Sequence, residues 1–179
     1  MGAEAVRLAG EGILLRPWRD EDADDLVRHA NDRRIWRNLT DRFPHPYTRE
    51  AAEEWLRRNR AHEGPPHHFA IVVGGEACGG AGLEPRADLA RRTAEVGYWL
   101  GAAFWGRGIA TAALRLVTAY AFERFDFARL EAGVLAWNPA SCRVLEKGGY
   151  VREARLRRAA FKDGELVDTF LYARLREDG

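Results

Sequence analysis

The chain has 179 residues, a length that suits one domain and that buries enough surface to fold without disulfides or a structural metal. Charged residues make up 31% of the sequence and leave a net charge of only +1, which argues against a large sequence-independent nucleic-acid surface. The two cysteines, Cys78 and Cys142, are far apart, which argues against a disulfide framework and a cysteine zinc site.

The ends and the composition of the chain indicate a protein without a membrane partner. The N-terminus shows no charged-then-apolar leader, and no run of about 18 apolar residues occurs anywhere. The neighbouring His67 and His68 would point to opposite sides of an extended segment, so no metal site is expected. We therefore expect a cytoplasmic protein with a single domain over residues 1–179 and a core over about 13–175.

The first half of the chain predicts one strand and two helices. Residues 13–18 read as a strand, and Asp20 follows as a helix N-cap with a buried apolar stripe behind it. Thr48 is the predicted cap of a second helix, whose early residues are acidic and whose late residues are basic, as the helix dipole favours. The segment 38–47 between the two helices reads as a loop.

The second half alternates strands with two further helices. Gly74-Gly75 and the Asp163-Gly164 pair are hairpin turns. The order of elements predicts a mixed α/β domain with one wound sheet. The predicted strands are residues 69–73, 76–83, 94–100, 130–137, 150–161 and 166–175, and the predicted helices are 109–125 and about 139–147.

One glycine-containing turn between a strand and a helix carries the strongest chemical signal. Glycines lack a Cβ, so a ligand can approach the main chain closely, and successive N–H groups at the helix start can bind one anion. The turn lacks the Gly-Lys-Ser/Thr ending of a nucleotide phosphate loop, and it does not follow the first strand of a dinucleotide-binding unit. A plain strand-to-helix turn remains the alternative. The turn consists of Trp105, Gly106, Arg107, Gly108, Ile109, Ala110 and Thr111.

Three stretches in the right order, residues 94–100, 104–111 and 138–150, resemble the GNAT N-acetyltransferases, and most of all their RimJ/RimL branch. The resemblance covers roughly residues 13–175. It implies an α/β acyl-CoA N-acyltransferase fold, with four helices and a mixed seven-stranded sheet splayed between its fourth and fifth strands. It also implies acetyl-coenzyme A as co-substrate, with no metal.

The resemblance assigns the coenzyme to named positions. The turn from Trp105 to Thr111 falls where the family binds the pyrophosphate with main-chain N–H groups. Trp99 and Leu100 fall where the fourth strand pairs with the pantetheine arm, and Asn138 matches the asparagine that hydrogen-bonds the arm. Ser141 and Lys147, on the helix that follows, are placed in the same site.

The resemblance also implies two catalytic residues. Direct attack by an amine requires a base for its proton and an acid for the departing thiolate. Glu95 falls where many members carry the base, although an exposed strand glutamate or a salt-bridge partner would read the same. The usual tyrosine acid is replaced by Leu145, and Ser141, one turn earlier, is the replacement donor used in this branch. A serine at a helix start that satisfies main-chain N–H groups is the alternative.

The acceptor is not specified by the residues. A protein N-terminal amine is the leading expectation from the branch, and a small-molecule amine such as a polyamine, an antibiotic or an amino-acid derivative is the alternative. A coenzyme-binding module that has lost catalysis is a second alternative. The basic residues of 152–158 fit a solvated strand edge or a surface for an acidic partner. We expect no nucleic-acid partner and either a monomer or a homodimer.

Overall fold

A computed structural model describes residues 6–178, which form one eight-stranded sheet with helices on both faces. The expectation that the N-terminus shows no leader depends in part on residues 1–5, which lie outside this range. The strands are β1 Leu8–Gly10, β2 Ile13–Pro17, β3 His68–Val73, β4 Glu76–Pro85, β5 Thr93–Leu100, β6 Arg129–Leu135, β7 Val151–Lys162 and β8 Glu165–Leu175; the helices are α1 Ala23–Ala30, α2 Arg33–Trp36, α3 Arg49–Arg60, α4 Ile109–Arg124 and α5 Pro139–Lys147.

The sheet has the order β1-β2-β3-β4-β5-β6-β8-β7. Every neighbouring pair is antiparallel except β5 and β6, which are parallel. A parallel pair needs a crossover, and α4 provides it by leaving the end of β5 and returning the chain to the start of β6. The predicted α/β fold is thus confirmed.

Two hydrophobic cores lie on opposite faces of the sheet. On one face, α4 buries an apolar stripe against strand residues that include Phe69 and Val96. The stripe consists of Ala113, Leu114, Val117 and Ala121. On the other face, α1 and α3 bury Leu26 and Leu56 against residues of the central strands. We call these the α4 face and the α1–α3 face. Because side chains alternate along a strand, consecutive residues of β5 belong to opposite faces.

The structure departs from the predicted elements in three places. The short strand β1 was missed because Leu8–Gly10 is only three residues long, and the four-residue helix α2 was missed for the same reason. Asp20 does not cap α1, so that prediction was wrong: residues Asp20–Asp22 form a 3₁₀ turn, and α1 begins after it at Ala23. The carboxylate of Asp22 instead accepts two hydrogen bonds of 2.7 Å from the buried guanidinium of Arg16.

Three other predicted features, the Thr48 cap, the loop at 38–47 and the divergence of His67 and His68, are confirmed. The side chain of Thr48 accepts a hydrogen bond from the N–H of Ala51 at 3.2 Å and so caps α3. Residues 38–47 contain no helix or strand. His67 packs beside Phe125 and His68 beside Trp55, so the two imidazoles point apart. None of the helices formed by residues 6–178 has the length and hydropathy of a membrane-spanning segment.

Candidate functional site

The parallel strands β5 and β6 separate and leave a cleft in the middle of the sheet. They pair only from Thr93 with Arg129 to Glu95 with Glu131. Beyond these residues β5 stays paired with β4 as far as Leu100, and β6 stays paired with β8 as far as Leu135. The edges of β5 and β6 that face each other are therefore left unpaired over the rest of their length. This interstrand cleft is the splay expected between the fourth and fifth predicted strands.

The glycine-containing turn lies at the end of β5, where α4 begins. Gly106 and Gly108 have φ angles of +74° and +76°, which favour glycine, and a Cβ at either position would meet nothing within 4 Å. Among the described residues, the first N–H of α4 that reaches a main-chain acceptor is that of Ala112, which bonds Gly108. No side chain within residues 6–178 caps the helix. The N–H groups of residues 108–111 are thus free to bind an anion, and the helix dipole favours one.

Two further predicted residues, Leu100 and Trp99, lie beside this turn, and the side chain of Arg107 extends from it. The carbonyl of Leu100 accepts a 2.7 Å hydrogen bond from the indole of Trp105, which fixes the turn against the end of β5. Trp99 lies on the α1–α3 face, packed beside Phe43. The guanidinium of Arg107 lies over the ring of Phe104 at 5.4 Å and is exposed, so it can move toward a bound phosphate. An open main-chain cradle with a mobile cation fits a pyrophosphate.

The other side of the cleft is formed by the start of α5. Asn138 is the N-cap of this helix, and its side-chain oxygen accepts a hydrogen bond from the N–H of Ser141 at 3.2 Å. Among the described residues the amide nitrogen of Asn138 has no acceptor, so it can donate to an amide carbonyl in the cleft. Lys147 ends α5 on the surface, where its carbonyl accepts a hydrogen bond from Arg115 of α4.

Ser141 makes a contact across the cleft that the sequence did not indicate. Its hydroxyl lies 2.8 Å from the hydroxyl of Tyr98 on β5, and the Tyr98 hydroxyl is 3.2 Å from the Ser141 carbonyl. Burial raises the pKa of Tyr98 far above its ordinary value, so this phenol keeps its proton at neutral pH. Leu145, one turn later, is fully buried. Ser141 does not cap α5, because Asn138 does so, and the alternative role of a capping serine therefore does not apply.

Glu95 lies where the two strands begin to separate, on the α1–α3 face. Its carboxylate accepts a 3.0 Å hydrogen bond from Arg86, whose guanidinium also lies 3.3 Å from Glu131. The Glu95 side chain is 41% exposed, so solvent and an acceptor amine can reach it. Because exposed ion pairs contribute little, Arg86 can shift toward Glu131 and release Glu95. The geometry is compatible with both the catalytic and the ion-pair interpretation.

The α1–α3 face of the cleft is open next to Glu95. Gly97, the next residue of β5 on this face, is exposed, and a Cβ there would meet nothing within 4 Å. The loop after α2 borders this space, since Phe43 lies beside Trp99, with their ring centroids 5.5 Å apart. The free N–H groups at the start of α4 and the open face beside Glu95 therefore lie at the two ends of the splayed part of β5.

Comparisons with known proteins agree with this geometry. Residues 13–151 match the acetyltransferase (GNAT) domain family. The Bacillus subtilis protein named "Probable N-acetyltransferase YjcK" is 32% identical, covering 96% of this chain and 98% of its own. The Escherichia coli ribosomal-protein-serine acetyltransferase is 31% identical over 50% of each chain. A solved structure of Mycobacterium smegmatis RimJ with a coenzyme A disulfide superposes with a TM-score of 0.79 at 28% identity, covering 93% of this chain and 83% of that one.

The family match spans most of the chain, and it includes the turn at the start of α4, the cleft and α5. The fold, the open N–H groups and the relatives all point to the same chemistry. The chain therefore belongs to the GNAT family of acetyl-coenzyme A-dependent N-acetyltransferases.

Proposed function

We propose that this protein transfers the acetyl group of acetyl-coenzyme A to the N-terminal amine of a protein. Acetyl-coenzyme A supplies the thioester. The N–H groups of residues 108–111 and Arg107 bind its pyrophosphate, and Asn138, Trp99 and Leu100 border the arm. The observation that carries the proposal is the cleft between β5 and β6, which has an anion cradle at one end and an open, exposed face beside Glu95.

Glu95 and Ser141 act on the two protons of the reaction. Glu95 accepts a proton from the attacking ammonium, directly or through water, so that the nitrogen can bond to the acetyl carbon. As the carbon–sulfur bond breaks, Ser141 donates its hydroxyl proton to the departing sulfur. The nitrogen loses its second proton to solvent water as it becomes an amide, and solvent water returns a proton to the Ser141 oxygen. Tyr98, which keeps its proton and lies 2.8 Å away, can donate a hydrogen bond that stabilises this oxygen in the meantime. No covalent acyl-enzyme is needed, because an amine attacks a thioester directly.

The choice of a protein N-terminus is supported by the shape of the acceptor side and by the relatives. Gly97 leaves an exposed floor beside Glu95 that an extended chain can cross. A ribosomal-protein-serine acetyltransferase is among the relatives. A small-molecule amine such as a polyamine is the second candidate, because an exposed carboxylate also attracts a free cation.

A thiol-release assay with matched acceptors separates these functions. We expect release with peptides that begin with Ser or Ala, little release when the same peptides carry a blocked N-terminus, and little with spermidine. Preference for spermidine would move the function to a small-molecule acceptor. Calorimetric binding of coenzyme A, without thiol release from acetyl-coenzyme A with any amine, would identify a catalytically inactive module.

The role of Ser141 predicts a moderate effect of a single hydroxyl. Ser141→Ala should lower turnover about tenfold, which corresponds to about 1.4 kcal/mol, because an alcohol is a weak acid. Coenzyme affinity and the melting temperature should change little, since Asn138 and not Ser141 caps α5. Steady-state kinetics, calorimetry and thermal unfolding of the variant measure all three.

Two control variants separate the loss of the acid from a loss of stability. Asn138→Ala should lower stability by about 1 kcal/mol through the lost cap, which Ser141→Ala should not do. Tyr98→Phe keeps Ser141 but removes the hydroxyl beside it, and we expect a smaller loss of turnover than in Ser141→Ala. A Ser141→Ala enzyme with the normal rate would rule out the acid role.

A further inference from the structure

The three arginines of α2 and its C-cap differ in whether they form an ion pair. Arg33 forms an ion pair of 2.7 Å with Asp163, and Arg34 forms one of 2.6 Å with Asp32. Arg37, the C-cap residue, has no ion pair within residues 6–178. Its side chain is half-buried, so this charge is neither fully hydrated nor neutralised by the protein.

The guanidinium of Arg37 is held in place by stacking. Its central carbon lies 4.4 Å from the centroid of the Trp137 ring. The indole N–H of Trp137 donates a 3.1 Å hydrogen bond to Asn38, which fixes the ring that Arg37 lies on. The Nε atom of Arg37 is buried and finds no acceptor among the described residues. A ligand cannot reach this buried Nε, so the charge of the guanidinium is available only at its outer Nη groups, for which no carboxylate within residues 6–178 serves as partner.

The position of Arg37 connects it to the acceptor side of the cleft. Trp137 lies in the turn between the end of β6 at Leu135 and Asn138, and Glu131, the register partner of Glu95, lies toward the other end of the cleft. From Glu131 to Leu135 the strand extends about 13 Å at 3.3 Å per residue. An extended peptide of about four residues covers that length. This stretch of β6, which leads from the partner of Glu95 toward the ring beneath Arg37, thus has the length of a short peptide.

We propose that Arg37 selects acceptors that carry a carboxylate a few residues from the amine that is acetylated. This specificity rests on the proposed transfer to a peptide amine. A guanidinium directs its N–H groups outward in its own plane, and a carboxylate can accept from both Nη groups at once. The ligand class is therefore a peptide with Asp or Glu among its first five residues, with its N-terminal amine directed toward Glu95.

Pairs of peptides that differ only in Glu or Gln test this specificity. The pairs place the exchange at positions two to five of a Ser-initiated peptide, and kcat/KM is measured for each. The wild-type enzyme should favour the Glu peptide at one of these positions about tenfold, as expected for a charge-assisted hydrogen bond. Arg37→Gln should abolish the preference, while acetyl-coenzyme A affinity by calorimetry stays unchanged. Arg33→Gln, on the same helix, should keep the preference.

The outcomes separate the two proposals. Peptide acetylation without a Glu preference, or a preference that survives in Arg37→Gln, overturns the role of Arg37. Loss of acetyl-coenzyme A affinity in Arg37→Gln assigns Arg37 to the coenzyme and also overturns it. Absence of thiol release with every peptide overturns the proposed function itself. If Arg37→Gln does not fold, Arg37→Lys serves in its place: it keeps the charge but loses the bidentate geometry, and a reduced preference is then expected.

Discussion

Gly108→Glu should abolish measurable binding of acetyl-coenzyme A, a loss of about 100-fold or more. The residue lies directly before α4 among the free N–H groups, so a carboxylate there would occupy the anion cradle and repel the pyrophosphate by several kcal/mol. A Cβ at this position meets no protein atom within 4 Å, so the side chain itself causes no clash. Titration calorimetry with coenzyme A measures the effect.

Two control variants separate charge from backbone strain. Gly12→Glu adds the same side chain at another open glycine with positive φ, +70°, in the turn between β1 and β2. It should destabilise the fold by about 1–2 kcal/mol, as Gly108→Glu should, but leave coenzyme binding intact. Gly108→Ala carries the strain without the charge and should bind more tightly than Gly108→Glu. Unchanged affinity in Gly108→Glu would refute the assignment of the cradle.

Glu95→Gln should lower turnover about 10²-fold, the usual effect of removing one general base. The amide keeps the shape of the side chain but cannot accept the proton of the ammonium. Coenzyme affinity should be nearly unchanged, because Glu95 lies at the opposite end of the cleft from the cradle. Steady-state kinetics and titration calorimetry measure the two effects.

Glu84 provides the matched control for this variant. It is the register partner of Glu95 on β4, and it is more exposed, at 53% of its side chain. Glu84→Gln removes the same charge from the same region and should keep most of the activity. If Glu84→Gln and Glu95→Gln lose activity equally, the loss results from removing a negative charge from this region, and Glu95 is not the base. A normal rate in Glu95→Gln would leave Glu95 as an ion-pair partner of Arg86.

The regular elements were predictable because their signals are local. The turn at Gly106 and Gly108, the buried stripe of α4 and the cap at Asn138 each depend on a few neighbouring residues. Every predicted strand is present within about two residues of its expected ends. The order of the elements then fixed the parallel pair that opens the cleft. Short elements such as β1 and α2 have too few residues to show a hydrophobic period.

The contacts that join distant parts of the chain were not predictable from local patterns. Tyr98 and Ser141 are 43 residues apart, and Glu95 shares Arg86 with Glu131 only because β5 and β6 lie side by side. The strand alternation places Tyr98 on the face opposite Glu95, which was a usable signal for the contact with α5. The unpaired state of Arg37 depends on which carboxylates the fold places elsewhere, so no sequence pattern reveals it.

Mass spectrometry of an acetylated peptide tests the central claim most directly. A Ser-initiated peptide that also contains a lysine is incubated with the protein and acetyl-coenzyme A, and the modified position is located by fragmentation. The proposed function predicts one added acetyl group on the N-terminal amine, none on the lysine, and none with Gly108→Glu. Acetylation of the lysine alone, or of neither amine while spermidine is acetylated under the same conditions, would contradict it.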